Sequence, residues 1–153
     1  MNNMLDAMWR TVRMHFLKGS LVVLIGCLLI YLGIRLLGVQ IELYRGIHLI
    51  DGTWITAIYL LPFLVGALMV RIFGPGGSWL CWIPPMIVEG ITYIDTAYIS
   101  GVPEDAQLIP VGYWVYYVVL MVGDAAIGGF SYQIFTNYKE YTRKRLGNKR
   151  RGS

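Results

Sequence analysis

The sequence predicts an all-α fold: a polytopic membrane bundle of four transmembrane helices, with an N-terminal amphipathic interfacial helix. Three observations support that class. Of the 153 residues, 56% are hydrophobic, above the roughly 45–50% apolar share of soluble domains. The excess falls in four blocks separated by polar or glycine-rich breaks, each close to the roughly 20 residues a helix needs to cross a bilayer. Four crossings also sort the basic residues strongly to one side. Mean hydropathy is +0.56, and the length suits one domain.

Residues 1–18 form the first element. Met4, Met8, Val12 and Phe16 recur every four residues, with Arg10, Arg13 and Lys18 supplying charge. That pattern predicts a helix lying at the membrane surface, the alternative being a solvated helical extension of the first span. The first span is 19–38. Gly26 and Gly33 are seven apart on it, so they share a face suited to close helix contact. Arg35 is near its far end, where a long side chain reaches the headgroups. No small-residue cleavage site follows, so the span reads as retained. The first loop alternates Val39, Ile41 and Leu43 with Gln40, Glu42 and Tyr44. It is too apolar to be fully solvated and is expected along the outer interface or as a cap on the bundle.

The second span is 54–73, with Pro62 expected to bend it. Gly74-Pro75-Gly76-Gly77 makes a tight turn. No Gly-Lys-Ser/Thr follows, so it is not a phosphate loop. The third span is 79–99, where Pro84-Pro85 is expected to kink the inner end. The second loop carries Glu104, Asp105 and two prolines. The fourth span is 113–135, and Ala125 and Gly129 on it form a small-xxx-small pair. Residues 136–153 form a basic tail, in which Arg143, Lys144, Arg145, Lys149, Arg150 and Arg151 follow Lys139. These are expected to meet anionic lipid at the cytoplasmic face. With no fold-specific motif beside them, they do not read as a nucleic-acid site.

Four crossings place eleven of the 13 Lys and Arg on the side of both termini, leaving Arg35 and Arg45 opposite. The positive-inside rule then makes both termini cytoplasmic, in a bacterial-type inner membrane. Tyr98, Tyr113, Trp114, Tyr116 and Tyr117 fall at the outer interface, and Trp79 and Trp82 at the inner one. That distribution is an aromatic belt.

Chemistry concentrates at two acidic residues inside spans. Glu89 and Asp124 each sit near the midplane, on helices joined by a short loop. A carboxyl at that depth is costly and faces protein or water. If the two meet without a cation, they share a proton or bind a cation from solution. Thr92, Tyr93 and Thr96 follow Glu89 at i+3, i+4 and i+7 as hydroxyl partners, whereas Asp95 is expected to be solvated. The alternative is structural: a carboxyl that only joins helices or subunits.

Other chemistry is not indicated. Cys27 and Cys81 lie in apolar blocks without metal or redox spacing. His15 and His48 fall on opposite sides of the membrane, and His48 has no second ligand spaced to help it. Hydrolase, zincin and dinucleotide motifs are missing, so the expectation is no enzyme, no catalytic residue, no metal and no cofactor. The leading expectation is a non-enzymatic subunit of a larger membrane assembly of secretion, transfer or respiratory type. Its partners would be the lipid bilayer and other membrane subunits or further copies of itself. The competing one is a small proton- or cation-conducting transporter or channel using Glu89 and Asp124. A lytic protein is a third class.

Overall fold

The computed structural model describes residues 2–44, 52–74 and 76–151, with side chains over 13–44, 52–74 and 76–143. His48 and Arg45 fall outside the described residues, as do the side chains of the tail from Lys144 onward.

Helices dominate. Helix α1 runs unbroken over Asn2–Leu37. The surface helix predicted over 1–18 and the first span are therefore one element, with no break at residue 18. Gly19-Ser20 is the only weak point between them. A single helix glycine costs about 1 kcal/mol and does not end a helix held by its neighbours. Among the described residues, Arg13–Leu37 is long and apolar enough to cross a membrane.

Helix α2 spans Gly52–Phe73. Its turn at Thr56–Leu60 is π-helical, and regular α-helix resumes at Leu61. Pro62 explains the position of that turn. Proline has no N–H for the carbonyl four residues back, and its ring clashes there. A wider turn ahead of it relieves both problems.

The third segment departs from expectation. Gly77–Leu80 is a 3-10 turn, and helix α3 begins only at Ile83. It continues to Ile94 and then through a π-helical turn, Asp95–Ile99. Pro84-Pro85 does not kink this helix; it starts it. In the first turn of a helix an N–H is unpaired in any case, so proline is tolerated there. Twelve residues of α-helix and five of π-helix make a short element, roughly 25 Å at 1.5 Å per residue. Among the described residues, three helices are long and apolar enough to cross a membrane: Arg13–Leu37, Gly52–Phe73 and Val111–Arg143.

Helix α4, Val111–Arg151, begins after Pro110 and continues through the tail. The predicted boundary at 135/136 is not a structural one.

Strands β1 (Leu43–Tyr44) and β2 (Gln107–Leu108) pair antiparallel, Leu43 opposite Leu108. The first loop is therefore a cap stitched to the second. Helices α2 and α4 make the most extensive contact, α1 packs on both α2 and α3, and α3 packs more lightly on α4. Val22, Ile30, Ile58, Met69 and Met121 lie in the shared core. At the opposite end from the ribbon, the Lys18 ammonium donates to the Phe73 carbonyl at 2.8 Å. That cation sits at the C-terminus of α2, where the helix dipole favours it.

Candidate functional site: a carboxyl-lined cavity between α1 and α3

Glycine sets how closely each helix pair approaches. A methyl group at Gly66 on α2 would overlap the Ala125 carbonyl of α4, and one at Gly128 would overlap the Phe63 carbonyl. Both backbones touch there. Gly129 faces Cys81 and Val70, and the buried Cys81 thiol donates to the Gly66 carbonyl at 3.4 Å. Gly26 lies against Met69 and Pro84, and Gly33 against Leu61. All these small residues pack within the chain.

Between α1 and α3 the helices instead leave a cavity of about 750 Å³ under the ribbon. Tyr31, Ile34 and Arg35 of α1 line one side of it, Val88, Glu89 and Thr96 of α3 the other, and Gln40, Glu42 and Leu43 of the first loop close it. Glu89 is 1% exposed, and neither of its carboxyl oxygens has a hydrogen-bond partner. That is an unusual state. An unpaired buried polar group costs about 1–3 kcal/mol, and more when charged.

The predicted hydroxyl partners do not reach this carboxyl. Thr92 donates to the Glu89 backbone carbonyl at 3.1 Å, and Tyr93 donates to the Ile109 carbonyl at 3.1 Å. Thr96 donates to Oε1 of Glu42 at 3.2 Å. Neighbouring negative charge at Glu89 comes from Glu42. Asp124 is partly exposed and does not line the cavity, so the expected pairing of Glu89 with Asp124 is replaced by Glu89 with Glu42. The physical reason is the seam just described. Ala125, the residue after Asp124, is the one α4 presses onto α2.

Glu42 is the residue sequence reasoning missed. Alternation assigns it to the polar side of a loop expected along the outer interface or as a cap on the bundle. Instead Ile41, Glu42 and Leu43 are all buried, because the chain turns at residues 41–42 before pairing with β2. The Ile109 N–H donates to the Glu42 carbonyl at 2.9 Å and fixes that turn. Asp95 also lines the cavity, and its Oδ2 accepts the Ser100 hydroxyl at 2.8 Å. Arg35 lies over the Tyr31 ring, 5.4 Å from its centroid.

A second cavity, also about 750 Å³, borders the same two helices nearer the basic end. His15, Val23 and Cys27 of α1 and Ile83 and Ile87 of α3 are among its lining residues. The lining thus steps along α1 from Cys27 to Tyr31, and along α3 from Ile87 to Val88, in passing from one cavity to the other. Among the described residues no group of three His, Cys, Asp or Glu is placed to hold a metal ion. No protein-family model matches the chain, and neither a curated protein nor a solved structure is significantly similar to it.

Proposed function

We propose that this chain is a small membrane transporter that takes up a cation or proton at Glu89. One observation carries the reading: Glu89, fully buried and with no hydrogen-bond partner for its carboxyl, is among the residues around a cavity that Glu42 also lines. Ionisable groups inside spans mark ion and proton pathways far more often than they mark inert core. A second cavity along the same helix pair supports a route rather than a dead end. In this reading α3 is a fourth, short span, held among three long ones. The membrane is a bacterial-type inner membrane with both termini cytoplasmic, following the basic residues, and the ribbon end faces outward.

Flux measurement tests this. Purified protein in liposomes should pass protons or monovalent cations faster than empty liposomes do. Glu89→Gln, which keeps size and hydrogen bonding but cannot ionise, should abolish that flux. Asp124→Asn should leave it intact. Wild-type flux no greater than the empty-liposome background, or flux that survives Glu89→Gln, would sink the transport reading. Reporter fusions after Gly38 and Gly101 should read outside, and fusions after Gly76 and Ser153 inside.

Membership of a larger assembly is the second reading. Gly90 and Gly123 sit inside α3 and α4 with open space where a side chain would go, which suits close approach by another chain's helix. A stoichiometric partner co-purifying in mild detergent would favour it.

A further inference from the structure

We infer that the cavity between α1 and α3 binds a primary ammonium group carried on an apolar body: an alkylamine, or the ethanolamine head of a lipid. The inference rests on the cation-binding role of Glu89 and names the cation.

Size comes first. About 750 Å³ falls in the range of about 300–1,000 Å³ in which proteins bind organic ligands. A proton or bare metal ion needs none of that room. Metal binding also lacks its ligands, since no three donor side chains converge among the described residues.

Charge and hydrogen bonding come next. Among the described residues, the lining holds Glu42, Glu89 and Asp95 against one basic residue, Arg35. An ionised carboxylate only accepts hydrogen bonds, whereas an ammonium only donates them and has three to give. Both oxygens of Glu89 lack a donor, and Glu42 receives one hydroxyl from Thr96. An ammonium set between Glu89 and Glu42 would satisfy these acceptors. A quaternary ammonium has no N–H and is recognised by a cage of aromatic faces. Among the described residues, one aromatic ring lines this cavity, that of Tyr31, and the Arg35 guanidinium already lies over it. The match is to a primary amine.

Shape and wall chemistry complete the argument. Ile34, Leu43, Val88, Ile91 and Ile94 line the same space, and Ile91 and Ile94 are more than half exposed on the outer surface of the bundle. An inorganic ion gains nothing from such walls; an alkyl chain does. The apolar cavity that follows along the same helices extends the surface available to it.

The probe is hexylamine, titrated into the full-length protein in detergent and followed by calorimetry, with hexanol as the uncharged control. Hexylamine should bind saturably and hexanol at least tenfold more weakly. Glu89→Gln should weaken hexylamine binding at least tenfold and Glu42→Gln threefold or more, while Asp124→Asn leaves it unchanged. Equal binding of hexanol and hexylamine would overturn the inference. So would unchanged hexylamine affinity in Glu89→Gln or, should that variant not fold, in Glu42→Gln.

Nanodiscs separate the sources. Competition from phosphatidylethanolamine but not from phosphatidylcholine supports the lipid head; hexylamine binding that is equal in both supports a free amine. The two readings also fail separately. Cation flux that needs Glu89, with no hexylamine binding, overturns the amine and leaves transport. Glu89-dependent hexylamine binding without flux overturns transport and leaves the site.

Discussion

Two helix seams are built on different plans. Along α2–α4, Gly66 and Gly128 bring backbone onto backbone, and Cys81 lies against Gly129. Along α1–α3, Gly26 lies against Pro84, yet the helices leave two cavities, and the unpartnered Glu89 is among the residues around the one under the ribbon. One seam is dense and polar only where a thiol meets a carbonyl. The other is loose and holds the chemistry. The contrast suggests a division of labour: stability concentrated in one half of the bundle allows the other half to keep a costly group.

The largest effect should come from breaking the dense seam. Gly66→Val or Gly128→Val drives a side chain into a backbone carbonyl that cannot swing aside. The cost should be on the order of 3 kcal/mol, read as a sharp fall in melting temperature or loss of a monodisperse peak in detergent. If either variant melts like the parent, the two seams are not different in kind.

Next is the loose seam, where the expected sign reverses. Leucine at position 89 would leave no partner unmatched, because no hydrogen bond to the Glu89 carboxyl exists to be lost. Glu89→Leu should therefore stabilise the fold by about 1–3 kcal/mol and, on the proposed transport reading, end cation uptake. Thermal melting checks it, and a destabilised variant would mean the carboxyl has a structural partner after all.

A smaller loss is expected from Thr96→Val. It removes the hydroxyl that Glu42 accepts and leaves a buried oxygen short of one donor, at about 1 kcal/mol. Denaturation midpoints should resolve it, and a double variant with Glu42→Gln should show non-additivity.

Gly33→Ala should cost least. Its added methyl would lie 2.6 Å from a Leu61 methyl, the far end of a flexible side chain. Less than about 1.5 kcal/mol is expected. Losses equal to those at Gly66 would erase the distinction between yielding and unyielding neighbours.

Sequence reading reached the helices and the burial of Glu89 because each has a local signal: a long apolar run, and a charge in the middle of one. It reached Gly26, Gly33, Ala125 and Gly129 for the same reason, by spacing. It did not reach Gly66 or Gly128, although both are glycines inside apolar spans, because neither falls in a small-xxx-small pair with the residues singled out. Glu42 was out of reach for a different reason. Its burial depends on Leu43 pairing with Leu108, a contact between distant segments that no local pattern encodes. The start of α3 differs from expectation because Pro84-Pro85 occupies the first turn of the helix instead of kinking one already under way.

The ribbon has a consequence for how the protein is made. Glu42 is held in place through Leu43, Leu108 and the Ile109 N–H, and these belong to loops that emerge at different times during synthesis. The first loop is made while the residues that will fasten it are still untranslated. The acidic pocket therefore closes only after α3 and the second loop have followed. A truncated or stalled chain would carry Glu89 but not the strand that caps it. Completion of the pocket thus reports completion of the polypeptide, and a half-made copy leaves no finished site in the bilayer.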